Sequence, residues 1–258
     1  MGLYKVEGIV LRRRNLGEAD RLVTVLTRDR GRLTVVARGA RRPHSRLGGR
    51  LEPATRFRAL VAEGRSLDVI SQVDVVNARA GLRRDLERMT AVSVLLEFAD
   101  RSQADRHPAP EVYRLLDAAL DLVERGITDL AWLWFAARLL VLTGHRPSVA
   151  RCVVCGGRLR EALVWSVTLG GCAHAPCGAR DPRAAAMSQA AAALLVFLLD
   201  AGPSAVVRAS PGGPETGLVG DLLRAYAEHC WETRFRSLVV WERLRETAGR
   251  PVPRQAGL

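Results

Sequence analysis

Four cysteines, Cys152, Cys155, Cys172 and Cys177, fall within 26 residues of one another. The two-residue gap of the first pair is that of a zinc knuckle, and a hairpin across the next 16 residues would bring the second pair to the same ion. Four thiolates close a tetrahedral sphere, so the chemistry expected is structural zinc with no position left for an activated water. His174 lies between Cys172 and Cys177, which keeps a three-cysteine, one-histidine site open. A zinc nucleobase deaminase would share Pro176-Cys177, but it requires an H-x-E and a second C-x-x-C that this chain lacks. Cys230 stands apart in a helical pattern and reads as a small core residue.

The second group of chemically active residues is cationic. The 258 residues carry a net charge of +12. Residues 1–80 hold 17 Lys+Arg against 8 Asp+Glu, residues 81–150 hold 9 against 10, and residues 151–258 hold 13 against 9. Lys5 is the only lysine, so the excess is guanidinium, which binds phosphate in two-point fashion and stacks on bases. Arg12, Arg14, Arg28, Arg30, Arg32, Arg38, Arg41, Arg42, Arg46 and Arg50 concentrate at strand ends, turns and one long loop, and are the candidate phosphate contacts. Aromatic residues that could stack bases are scarce there, so sequence-indifferent, mainly electrostatic binding is expected. No P-loop, dinucleotide fingerprint or H-E-x-x-H is present, and no catalytic residues are assigned.

These groups need elements to hold them. Short β-branched runs at Val6–Leu11, Arg21–Thr27, Leu33–Arg38, Phe57–Ala62 and Leu67–Val76 predict five strands, with the Gly39–Arg50 segment as the one long connection. This fits a closed barrel of the OB type, with an SH3-like barrel as the competitor. From Gly81 the apolar period becomes helical and gives three helices, broken by Pro108, Pro110, Gly126, Gly144 and Pro147. Helices resume at Ser188–Asp200 and across Gly217–Thr247.

The fold class expected is therefore multidomain α+β: an N-terminal five-stranded OB-type barrel (1–80), then an all-α domain (81–150 and 186–258) carrying an inserted zinc module (151–185). The longest apolar runs fall short of the ~20 residues of a membrane span. With no signal-peptide pattern at the start, a cytoplasmic, nucleoid-associated protein is expected.

The segment Gly8–Pro43, GIVLRRRNLGEADRLVTVLTRDRGRLTVVARGARRP, followed by SRLGGRLEP from Ser45 to Pro53, resembles the N-terminal barrel of bacterial RecO recombination mediators. The order of barrel, helical domain and C-x2-C module is also similar. The second cysteine pair departs from the family pattern, with a four-residue gap in place of the commoner two. The resemblance implies a non-enzymatic protein that binds single- and double-stranded DNA, anneals complementary strands and helps load recombinase at single-stranded gaps. It also implies RecR and the acidic tail of single-strand-binding protein as partners. An OB-fold RNA-binding protein in translation or ribosome assembly is the alternative reading of the same charge and barrel.

Overall fold

The computed structural model describes residues 2–159, 162–209 and 213–248. Strands β1 (Leu3–Leu16), β2 (Asp20–Thr27), β3 (Gly31–Ala37), β4 (Arg56–Ala62) and β5 (Asp68–Asn77) close into a barrel in the order β1-β2-β3-β5-β4. The parallel pairing of Val35 and Val36 with Asp68 and Val69 completes the ring with the strand order of an OB barrel. Val10, Val23, Val25, Leu33, Val35 and Phe57 fill its interior. The long loop closes one end: Ala40 and Leu51 belong to this barrel core, and successive turns such as Ser45 N–H to Arg42 O (3.1 Å) order the chain between them.

The tight β2–β3 turn depends on Gly31, whose φ is +67°. A Cβ there would lie 1.9 Å from the His107 carbonyl oxygen, so only glycine lets the segment around His107 dock against the barrel. In β1 the register shifts between Val10 and Arg12, a bulge that leaves Leu11 unpaired with β2. Ile9, Leu11 and Leu26 join the core of the helical region instead of the barrel interior, so the two parts share one apolar contact layer.

Helices α1 (Leu86–Ser102), α2 (Pro110–Glu124) and α3 (Asp129–Leu142) follow the barrel, and α5 (Gln189–Asp200), α6 (Pro203–Arg208), α7 (Pro214–Cys230) and α8 (Arg236–Ala248) complete the helical part. Helix α3 is buried on almost every side, as its apolar sequence DLAWLWFAARLLVL dictates, and packs against α1, α2, α5 and α7. Asp85 and Ser188 cap α1 and α5 by accepting the N–H groups of Arg88 (2.8 Å) and Ala191 (3.0 Å). No helix among the described residues is long and apolar enough to cross a membrane.

Between α3 and α5 lies a small module. Strands β6 (Leu163–Ser166), β7 (Gly171–His174) and β8 (Ala185–Met187) form a sheet of order β7-β6-β8, with the single-turn helix α4 (Ala175–Gly178) after β7. Its inner face is not independent of the helices. Leu163, Trp165, Cys172 and Met187 are part of the helical core, and the Trp165 ring meets Tyr226 edge-on at 5.5 Å.

Ion pairs fix the barrel against the helices. Asp100, buried near the end of α1, receives Arg12 Nε from β1 at 2.6 Å and Arg32 Nε from β3 at 2.7 Å. Arg79, fully buried, donates to Asp117 and Asp121 of α2 at 2.5 Å each, and Arg56 joins Glu7 to Asp117. Asp68, buried at the start of β5, accepts Tyr4 Oη at 2.5 Å and Arg106 at 2.8 Å.

Candidate nucleic-acid interface and metal centre

Three of the four predicted cysteine ligands meet. Cys152, Cys155 and Cys177 form a cluster with His174 in which one ligand atom from each residue lies within 4.8 Å of all the others. Cys172 is absent from this cluster. It pairs across the sheet with the fully buried Trp165, and its own thiol is fully buried 3.3 Å from Met187 Sδ. Burial pushes this thiol up to about 11, and its place in the core beside Met187 keeps it away from the other three cysteines. In place of the four cysteines expected from the sequence, the structure brings together three cysteines and one histidine that could hold a metal ion.

The local chain explains the arrangement. A tight turn, closed by Gly156 N–H to Cys152 O (2.9 Å) and Cys152 N–H to Gly157 O (2.9 Å), presents Cys152 and Cys155 together. Pro176 starts the turn of α4 that carries Cys177, and Gly178 lets that turn sit on β6, where a Cβ would meet Val164 at 2.2 Å.

His174 Nε2 lies 2.9 Å from the Arg158 carbonyl, an acceptor only, so Nε2 is the donor there and Nδ1 is the nitrogen turned toward the thiols. That Nδ1 lies 3.5 Å from Cys155 Sγ and 3.9 Å from Cys177 Sγ. Bonds of ~2.3 Å to sulfur and ~2.0 Å to nitrogen in a tetrahedron put ligand atoms about 3.5–3.8 Å apart, so the donor set suits zinc. Burial raises the Cys152 thiol, but backbone N–H groups of Cys155, His174 and Val154 outweigh it and bring the thiol down to about 6, which favours the thiolate a metal needs. Cys177 is pushed up to about 11 by desolvation and by its bonds to Cys152 and Cys155, as expected where several thiols share one site. The signal for His174 was in the sequence: His174-x2-Cys177 repeats the two-residue gap of Cys152-x2-Cys155.

The ten candidate arginines separate into spent and free groups. Arg12 and Arg32 hold Asp100, and Arg32 also reaches Asp105 at 3.2 Å; they are interdomain fasteners rather than free phosphate contacts. Arg50 donates to Val73 O at 2.7 Å, and Arg41 holds the β1–β2 turn through Gly17 O at 2.6 Å. Arg30 lies over the Tyr4 ring at 4.1 Å. Arg14, Arg28, Arg38, Arg42 and Arg46 are exposed, and their side chains make no ion pair or hydrogen bond among the described residues.

Topology places four of these five free cations at one end of the barrel. Arg14 nears the end of β1, Arg38 follows β3, and Arg42 and Arg46 lie in the loop that plugs that end. The β1–β2 turn belongs to the same end, because Arg41 N–H and side chain bond Ala19 O and Gly17 O. Arg28 and Arg30 sit in the β2–β3 turn at the opposite end of those strands. The described residues thus offer one group of unneutralised guanidinium groups at a barrel end and one cluster of three cysteines and a histidine about 100 residues further on.

Comparison with known proteins agrees with this organisation. The family model for the recombination protein O N terminal matches residues 1–79, and that for the recombination protein O C terminal matches residues 83–238. A DNA repair protein RecO of a Roseiflexus species is 36% identical over 260 residues, which cover 99% of this chain and 90% of the relative. The DNA repair protein RecO of Desulforamulus reducens is 31% identical over 245 residues, 95% of this chain and 96% of its own. That of Bifidobacterium adolescentis is 44% identical over 177 residues, 66% of this chain and 72% of its own. With both halves matched in order, the chain belongs to the RecO family of DNA repair proteins.

Proposed function

We propose that this protein is a non-enzymatic recombination mediator that binds single- and double-stranded DNA through the loop end of its barrel. The observation that carries the reading is the grouping of Arg14, Arg38, Arg42 and Arg46 at one barrel end, exposed and unneutralised, in a chain of the RecO family. Four unpaired cations on one small surface repel one another and serve no fold contact, which makes a polyanion their natural complement. The same cations screen the repulsion between two DNA strands, so strand annealing follows from the same surface. Loading of recombinase at single-stranded gaps, with RecR and the acidic tail of single-strand-binding protein as partners, is the wider role the family suggests.

Cys152, Cys155, His174 and Cys177 would hold one structural zinc ion. When bound, zinc cross-links the turn after α3 to β7 and α4, and four protein donors leave it no open position for chemistry. His174 is oriented by Arg158 O, the outer-shell support common to histidine ligands.

The test is annealing of two complementary DNA strands by the zinc-loaded protein, beside its affinity for single-stranded DNA and for a structured RNA. Accelerated annealing with preference for DNA supports the reading. Preference for the structured RNA without annealing would instead favour a role in translation or ribosome assembly.

A further inference from the structure

Two clefts outside the barrel-end surface meet on one face of the molecule. One, of about 940 Å³, opens between the barrel and α1 and is walled in part by Arg12, Arg32 and Arg101. The other, of about 800 Å³, runs from the α7–α8 turn to the metal module and is walled in part by Arg183, Arg234 and Arg236. Arg101, Glu232 and Thr233 line both, so the two form one groove.

Most carboxylates in this groove are already engaged. Asp100 takes Arg12 and Arg32, and Glu228 takes Arg224, Arg234 and the Phe235 N–H. Glu97 takes the Ser237 N–H and hydroxyl, and Asp181 takes Ser166, Thr168 and the Arg183 N–H. The guanidinium groups of Arg101, Arg183 and Arg236 are exposed, with no ion pair or hydrogen bond among the described residues. Fold stability does not call for them all. Arg236 is the first residue of α8, where the helix dipole disfavours a cation.

We propose that this groove is a second phosphate track, which carries a single nucleic-acid strand from the barrel across the end of α1 to the metal module. The inference rests on the DNA-binding reading above and extends it. Strand β1 supplies the junction: Arg12 in the groove and Arg14 at the barrel end lie on the same face of one strand, about 7 Å apart. A strand is favoured over an acidic peptide because the free cations are spread over three separate elements.

The experiment compares binding of oligo-dT of about 8 nucleotides, within the ~4–16 that one OB fold covers, with oligo-dT of about 25. The full-length zinc-loaded protein is measured beside the triple variant Arg101→Gln/Arg183→Gln/Arg236→Gln and the corresponding triple Lys variant, each checked by thermal melting. The triple Gln variant should bind the short strand as the parent does, lose the extra affinity for the long one, and flatten its log-salt slope by about 2 units, three contacts at ~0.7 each. The Lys variant should retain most of that affinity, which separates charge from misfolding. A parental slope on the long strand in the Gln variant overturns the track. So does a variant that loses hexa-aspartate but keeps the long strand, since the groove would then be a peptide site. Failure of the parent to bind either strand would instead sink the DNA-binding reading itself.

Discussion

His174 donates its Nε2 hydrogen to the Arg158 carbonyl at 2.9 Å, and this one bond fixes which nitrogen faces the thiols of Cys155 and Cys177. It makes the histidine a metal ligand in waiting, and it sets the roles of His174 and Cys172 apart. His174→Ala should lower zinc content well below one ion per chain. Cys172→Ser should keep the zinc and cost about 1–3 kcal/mol of stability, because a hydroxyl replaces a fully buried thiol beside Met187. Elemental analysis of both purified variants, paired with thermal melting, separates the two. Zinc retained in His174→Ala and lost in Cys172→Ser would restore the four-cysteine set.

Asp100 joins β1 and β3 to α1, so its removal should loosen the barrel from the helices without unfolding either. Asp100→Ala leaves Arg32 without its closest partner, at a cost of about 2 kcal/mol. That is less than the ~3–5 of a fully buried pair, since Arg12 is 47% exposed and can turn to water. Denaturant titration should show this loss, and hydrogen exchange should rise at the α1–barrel contact. Parental stability in the variant would mean that the apolar layer of Ile9, Leu11 and Leu26 suffices alone.

Much of this fold is legible in the sequence because its signals are local. Short β-branched runs and the turn residues around Gly17 and Gly31 mark the barrel strands, and helical periodicity with well-placed prolines marks α1 to α3. Strand β1 runs to Leu16, two residues past the arginine run Arg12-Arg13-Arg14 that closes the strand in the sequence pattern. Helix α6 escapes notice as six residues between breakers. What the sequence hides is partnership at a distance. Asp100 lies 88 and 68 residues from the two arginines it neutralises, and nothing near Arg12 or Arg32 distinguishes them from Arg14 or Arg38. Three of the four clustered metal-site residues are legible from cysteine spacing, and the His174-x2-Cys177 gap is overshadowed by the more conspicuous Cys172.

Acid should weaken the barrel through Asp68. Burial raises this carboxyl, but bonds from Tyr4 Oη, the Gly64 N–H and Arg106 outweigh it and hold it below the ordinary carboxylate value. A folded-state value below the unfolded one gives stability that is present above the unfolded value of ~3.9 and lost as pH falls through the folded one. Tyr4 acts at the other end. Burial first, then Asp68, push it up to about 12, so its contribution is full below ~10 and lost as pH rises from there through 12. Melting temperature against pH should therefore show an acid limb that Asp68→Asn flattens. An identical acid limb in that variant would assign acid sensitivity to other carboxylates, such as Glu7.

The free arginines at the barrel end are the proposed DNA contacts, and the salt dependence of single-strand binding measures them. Affinity of Arg42→Ala/Arg46→Ala for a short oligo-dT should fall uniformly, whatever the base sequence. Its log-salt slope should flatten by about 1.4 units relative to the parent, two contacts at ~0.7 each. Neither side chain has a partner among the described residues, so the variant should melt with the parent. A slope unchanged from the parent, in a variant that is folded, would contradict the assignment of DNA binding to this surface.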